Sequence, residues 1–219
     1  MSDRDRLSLV AHAAMPLCNP LVLAELDALL ERAPVAPGER VLDLGAGRGD
    51  VALRVPGARL TLVDRSEVYL DEARARSRGR AHVELVLADA ATYLEALQGD
   101  ISLAVCLGAS HALSGMDAAA RALSQRARRV LIGDLVSLGP RAEETFGAPR
   151  LESLSLGAPH VVLGPERVRA YEDAWSRAVS AHLEAHPDEP AAEWARGRIA
   201  WMREHDDVLS ELAFAAWVL

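Results

Sequence analysis

Short aliphatic runs alternate with amphipathic stretches along most of the chain. The runs RVLDLG (40–45), RLTLVD (59–64), HVELVLAD (82–89), ISLAVCLG (101–108) and RVLIGDLV (129–136) are nearly unbroken in their apolar character, as strands covered on both faces are. Between them, helical spacing predicts helices over 50–55, 67–78, 91–97 and 116–127. Such regular alternation implies a parallel sheet with helices packed on its two sides. Ahead of the sheet, NPLVLAELDALLERA predicts a helix with Asn19 as its cap and Pro20 at its first position, ending at Pro34; N-terminal helices thus occupy about 1–34. Behind it, residues 140–159 are rich in Gly, Pro and Ser and predict a loop with one short helix, then a strand, HVVLG. Helices over 166–185 and 191–205 follow, parted by the turn HPDEP, and the apolar run ELAFAAWVL closes the chain as a buried strand that can insert antiparallel. The expected fold is an α/β, doubly wound, mostly parallel seven-stranded sheet with an antiparallel last strand and helices on both faces.

Size and composition narrow the picture. A chain of 219 residues, half of them hydrophobic, can bury one core without disulfides, so a single domain over 1–219 is expected. The helices at about 165–206 form an insertion that could cover a site. A net charge of -8 opposes a phosphate backbone, and no basic run with interleaved aromatics occurs, so nucleic acid is not an expected partner. Cys18 and Cys106 are far apart, and Cys106 sits in an apolar run, which fits a reducing compartment. The start, MSDRDRLSLV, lacks the apolar stretch of a signal peptide, and no segment has the roughly 20 apolar residues of a bilayer span. A cytoplasmic protein without membrane association is the expectation.

The stretch VLDLGAGRGD carries the first chemical signal. Glycines at 45, 47 and 49 follow a buried strand at its carboxyl end, where ligands of open α/β sheets bind. Glycine serves there when the chain must turn tightly or let a ligand touch its backbone, although many glycine-rich turns exist for conformation alone. Asp64 ends the second strand about 20 residues after the loop, the distance at which such folds place a carboxylate for ribose hydroxyls. Asp89 and Ala90 end the third, where an acid and a small residue can meet the edge of an adenine. The spacing is not G-x-G-x-x-G, and the acid at position 50 would oppose a pyrophosphate, which counts against a nicotinamide-dependent oxidoreductase.

Taken together, these segments resemble the class I S-adenosylmethionine-dependent methyltransferases, which are Rossmann-like. VLDLGAGRG is similar to their first motif, LTLVDRS to the acidic end of their second strand, LADA to the adenine-contacting motif and CLGASH to the segment beside the reactive methyl. The resemblance covers about residues 19–136 and extends more faintly to the end of the chain, where the HPDEP turn, the second helix and the closing apolar strand resemble a bacterial small-molecule branch of the family. It implies S-adenosyl-L-methionine as cofactor, with S-adenosyl-L-homocysteine as product, and a small-molecule acceptor. Asp43, Gly45, Ala46 and Gly47 would line the methionine portion and the ribose. Asp64 would hold the ribose hydroxyls with Arg65 nearby, Asp89 and Ala90 would face the adenine, and Leu107 and Gly108 would border the sulfonium. Two features depart from the family pattern: the segment DVALRV before Pro56 is about a turn short for the helix expected there, and RARR replaces the Pro-Gly-Gly turn before the fifth strand.

Methyl transfer is an in-line displacement, so positioning the acceptor and excluding water can supply much of the catalysis. His111, three residues past Gly108, is the candidate general base. Tyr171 and Trp175 share a helix face and are candidate walls of an acceptor pocket, and Asn19 could reach into the same cleft. The plainer roles are a loop histidine, core aromatics and a capping asparagine. His182 and His186 are four apart on a helix, but HLEAH is not a metalloprotease motif and no metal is expected. A protein that binds the cofactor without transferring the methyl group, acting as a regulatory or assembly partner, is the alternative function.

Overall fold

The structure, a computed structural model, describes residues 3–219. Seven strands form one sheet: β1 (Arg40–Leu44), β2 (Arg59–Asp64), β3 (Val83–Leu87), β4 (Leu103–Leu107), β5 (Val130–Ser137), β6 (Val161–Leu163) and β7 (Leu212–Val218), in the order β3-β2-β1-β4-β5-β7-β6. The pairs β1–β2, β1–β4, β2–β3 and β4–β5 are parallel, whereas β7 runs antiparallel between β5 and β6. The strand order reverses between β1 and β4, each turning to its own side of the sheet, and this opens a crevice at their carboxyl ends.

The side chains of each central strand alternate between two cores. Leu103, Val105 and Leu107 of β4 face one layer with Val41, Leu62 and Phe214, while Ala104 and Cys106 face the other with Leu42, Ile132 and Trp217. Helix α2 (Leu23–Arg32) contributes Leu26 and Leu29 to the first layer. Helices α4 (Ala90–Ala96) and α5 (Met116–Ser124) contribute Leu94, Met116 and Leu123 to the second. Helix α3 (Glu67–Arg76) sends Ala73 into the first, and α6 (Pro140–Phe146) lies in the stretch expected to be mainly loop.

A third, smaller core stands apart from the sheet. It joins helix α1 (Asp3–His12) to α7 (Pro165–Ala185) and α8 (Ala192–Glu204) through Leu7, Ala11, Trp175, Val179, Leu183 and Ile199. Elements from the two ends of the chain thereby build one cap.

Two local expectations are corrected. The helix expected over 50–55 is a single 3₁₀ turn, Ala52–Arg54, because Pro56 forces Val55 into an extended conformation before a second turn can form. Helix α2 begins at Leu23, not after Asn19: Glu25 accepts the N–H of Val22 and fixes the start three residues later than expected. Asn19 instead accepts the N–H of Leu21 and holds a turn ahead of the helix.

Candidate functional site

Three glycines of the first loop, Gly45, Gly47 and Gly49, all have positive φ. The loop is stitched to the end of β2 by N–H donations from Gly45 and Ala46 to the Val63 carbonyl, and from Gly47 to Asp64 Oδ2 at 2.8 Å. Asp64 Oδ1 takes the N–H of Ser66 at 2.9 Å. Both carboxylate oxygens are therefore aimed by backbone amides, and each keeps lone-pair capacity for a hydroxyl donor.

A cavity of about 590 Å³ opens over this arrangement. Gly45, Gly47, Asp64, Arg65, Asp89, Ala90, Leu107, Gly108 and His111 all line it. Nine of the expected residues, from the carboxyl ends of four strands and the turn after β4, thus meet in one cleft. Asp89 also caps α4 by accepting the N–H of Thr92, and this bond holds its carboxyl below the usual carboxylate range. His111 lies on a 3₁₀ turn after β4, Ser110–Leu113, which Asp134 of β5 anchors by accepting both the N–H and the hydroxyl of Ser110 at 3.0 and 2.7 Å.

The remaining expected residues lie elsewhere. Asp43 is buried beneath the glycine loop, where it accepts the N–H of Ala52 at 3.3 Å, and Ala46 is buried within the loop; neither lines the cavity. Asn19 is buried in its own turn and also does not line it. Trp175 packs in the cap core with the Arg198 guanidinium 4.1 Å from its ring, so it is a core aromatic and not a pocket wall. Tyr171 stands one layer behind the wall, its hydroxyl 2.7 Å from His12 Nε2 and 3.0 Å from the Cys18 carbonyl. His182 and His186 stack with ring centroids 4.3 Å apart, and His182 Nε2 lies 3.2 Å from Glu189.

Sequence reasoning missed the wall that α1 supplies. Asp5, Ser8 and His12 line the cleft together with Cys18 and with Tyr69 of α3, but α1 has too weak an apolar stripe to announce its packing. Arg48 locks this wall to the glycine loop. Its guanidinium donates to the His12 and Met15 carbonyls, each at 2.5 Å, while Nε binds Asp50 at 2.9 Å. Asp50 is also paired with Arg76, so the acid read from sequence as opposing a pyrophosphate is buried in an ion cluster and does not face the cleft.

Two buried groups give the folded chain a characteristic pH response. Desolvation lowers His12 to about 4 and raises Asp43 to about 7. Between pH 4 and 6.5 the unfolded chain binds more protons at His12, so that group's contribution to stability grows as pH rises. Over roughly pH 4–7 the folded chain binds more protons at Asp43, so that contribution shrinks as pH rises. The two oppose one another, each on the order of 3 kcal/mol. Urea titrations from pH 4.5 to 7 are expected to show Asp43→Asn gaining stability with pH relative to the parent and His12→Phe losing it; parallel curves would exclude these assignments.

Residues 41–132 match the model of a methyltransferase domain, and the fold of the chain is that of the class I, Rossmann-like methyltransferases. Among its relatives is the uncharacterized protein YjhP of Escherichia coli K12, 27% identical over 227 residues and covering 90% of both chains. A methyltransferase from Geobacter sulfurreducens, solved in complex with S-adenosyl-L-homocysteine, superposes with a TM-score of 0.79 over 97% of this chain and 96% of its own at 22% identity. One from Thiobacillus denitrificans, in complex with the same molecule, gives a TM-score of 0.76 over 95% of each at 21% identity. Among the described residues no helix is long and apolar enough to cross a membrane.

Proposed function

We propose that this protein transfers the methyl group of S-adenosyl-L-methionine to a small-molecule acceptor, releasing S-adenosyl-L-homocysteine. The observation that carries this reading is the convergence of the Gly45–Gly47 backbone, Asp64, Asp89–Ala90 and Leu107–Gly108 on a single cleft. Relatives of the same fold bind S-adenosyl-L-homocysteine, which supports the choice of ligand. The donor set also fits it: two oriented carboxylate oxygens on Asp64 suit a pair of ribose hydroxyls, and Asp89 beside Ala90 leaves room for a flat base. The cofactor supplies an electrophilic methyl group on cationic sulfur. The chain's part is to orient that group, exclude water and handle the acceptor's proton.

Asp64 is the most direct test of binding. Asp64→Ala removes the acceptor for ribose hydroxyls and frees the Gly47 amide, and is expected to weaken cofactor binding by about 1–3 kcal/mol, roughly 5- to 150-fold. Isothermal calorimetry with S-adenosyl-L-homocysteine measures this, and an unchanged Kd would remove Asp64 from the site.

His111, which lines the cleft beside Gly108, is the proposed general base. It is exposed and its side chain makes no hydrogen bond among the described residues, so it is free to meet an acceptor entering from solvent. His111→Ala is expected to reduce turnover about 10²-fold or more while leaving cofactor affinity nearly intact. Equal losses in both would give it a structural role. A binder without transfer activity draws some support from the single 3₁₀ turn after the glycine loop, which provides little helix dipole for the methionine carboxylate. Incubation with methyl-labelled cofactor and a metabolite extract separates the two readings: the enzyme labels an acceptor, whereas the binder only retains label.

A further inference from the structure

Four fixed charges line the cleft: Asp5, Asp64, Asp89 and Arg65. Asp64 is aimed by two backbone amides, Asp89 caps α4, and Arg65 lies within reach of the Asp89 charge. His12 adds no charge at pH 7, since burial lowers it to about 4. Asp5 is left as the fixed charge that the α1 wall brings to the cleft, on an element separate from the strand ends.

Its isolation is built into the sequence DRDR. Arg4 lies over the Trp194 ring, 5.6 Å from the centroid, and Arg6 is paired with the buried Glu189, so both neighbouring cations are drawn into the cap. Asp3 shares the first turn of α1 but does not line the cleft. The half-buried Asp5 carboxylate makes no hydrogen bond or ion pair among the described residues.

Ser8 stands one turn further along the same face of α1 and also lines the cleft. Its Oγ takes the Tyr69 hydroxyl proton at 3.1 Å, which pins the side chain and leaves Oγ a second lone pair. Side chains three positions apart on a helix have Cβ atoms roughly 5–6 Å apart, so one ammonium group can reach a carboxylate oxygen and a hydroxyl oxygen together. A molecule that fills the cleft strips water from Asp5. An unpaired carboxylate resists that, whereas a cation laid against it removes the penalty and forms a charge-assisted hydrogen bond. An anionic molecule would meet like charge here, on a chain whose net charge of -8 already repels it.

Resting on the methyltransferase reading, we propose that Asp5 and Ser8 form an ammonium subsite, and that the acceptor is a small molecule carrying a cationic amine apart from the atom that is methylated. A bound ammonium has no lone pair and cannot be the nucleophile; it keeps its protons and charge throughout, and the reacting atom is a different one, presented beside Gly108 and His111. Asp5 selects and positions the acceptor and exchanges no proton. The cofactor carries an ammonium of its own at its methionine end, and the test separates the two sources.

The test uses the whole chain, S-adenosyl-L-methionine with a deuterated methyl group, and a metabolite extract, with products resolved by cation exchange and identified by mass. The deuterated methyl group is expected on a molecule that the exchanger retains at pH 7. Asp5→Asn is expected to raise KM for that molecule about 10- to 100-fold with kcat nearly unchanged, and Asp5→Glu to recover part of the loss. Calorimetry with S-adenosyl-L-homocysteine, and with methylthioadenosine, which lacks the amino-acid end, is expected to give the same Kd values in Asp5→Asn as in the parent. A deuterated product that passes through the exchanger, or an unchanged KM, would overturn the subsite while leaving the methyltransferase reading intact. Weaker binding of S-adenosyl-L-homocysteine with methylthioadenosine unaffected would assign Asp5 to the cofactor's ammonium and equally overturn it. A parent protein that binds no S-adenosyl-L-homocysteine, or yields no deuterated product, would instead overturn the methyltransferase reading, and the subsite with it.

Discussion

Arg48→Met is expected to destabilise the protein by about 3–5 kcal/mol, the range found when one partner of a buried ion pair is removed. Arg48 and Asp50 are 6% and 7% exposed at their side chains, and the Arg48 guanidinium also covers the carbonyls of His12 and Met15. A methionine of similar length fills the space but leaves both carbonyls without this donor. Arg76 still neutralises part of the Asp50 charge, which places the expected loss toward the lower end of the range. In urea unfolding the midpoint should fall with the slope unchanged. Because Arg48 ties the α1 wall to the glycine loop, cofactor affinity should fall as well. Converting Asp50 to leucine in the same chain should restore part of the stability, since no buried carboxylate is then stranded, and Arg76, half-exposed, keeps the backbone carbonyl at position 48 as a partner. A single variant within 1 kcal/mol of the parent would show that the cluster is not a structural tie.

Gly45→Ala is the second large effect, expected at about 2–5 kcal/mol from two separable causes. Its φ of +68° lies in the left-handed region, and a Cβ there would stand 2.3 Å from the Cβ of Ala109. Ala109 belongs to the segment after β4 that carries His111, so the overlap pushes the glycine loop and that turn apart. Ala109→Gly in the same chain should recover the overlap and leave only the backbone strain. Gly47→Ala provides the control: its φ is also positive, but a Cβ there meets nothing closer than Tyr69 at 3.7 Å, so only about 1–2 kcal/mol is expected. Thermal or urea unfolding of the three variants gives the order. Equal losses at 45 and 47 would contradict the packing argument.

These two sites also show what the sequence could and could not convey. The strands were legible because burial on both faces leaves aliphatic runs with no polar interruption, as in β4, where all five residues are buried. The meeting of these residues in one cleft was legible because each sits at a strand end, a position fixed by the sheet itself. Gly45, Asp64, Asp89 and Gly108 therefore needed only correct strand boundaries to be placed together. The glycine spacing was informative for a reason different from ligand contact alone: Gly45 and Gly49 are also confined by protein atoms, Ala109 for one and Leu53 with Leu62 for the other.

The cap was legible only in outline. Tyr171 and Trp175 share a helix face, as their spacing implies, but whether that face meets a cavity or a core depends on α1, which approaches from the other end of the chain. The same long-range pairing hid His12, whose place in the cleft wall is fixed by contacts with Tyr171, 159 residues away, and Tyr69, 57 residues away. Asp43 was placed in the cleft by its position in the first motif; burial of the strand end and the N–H of Ala52 turn it under the loop instead. Asn19 misled through a strong local cap pattern, overridden by Glu25 and by the Arg167 guanidinium, which binds both Glu25 and the Pro20 carbonyl.

The central claim is that one sulfonium-bearing nucleoside occupies the cleft over the glycine loop. Amide NMR of the uniformly ¹⁵N-labelled protein during titration with S-adenosyl-L-homocysteine tests it most directly. Saturable shifts are expected at Gly45, Gly47, Ser66, Ala90 and Gly108, with those of α8 unmoved. An absence of shifts at millimolar ligand, or shifts confined to residues outside that cleft, would contradict the account.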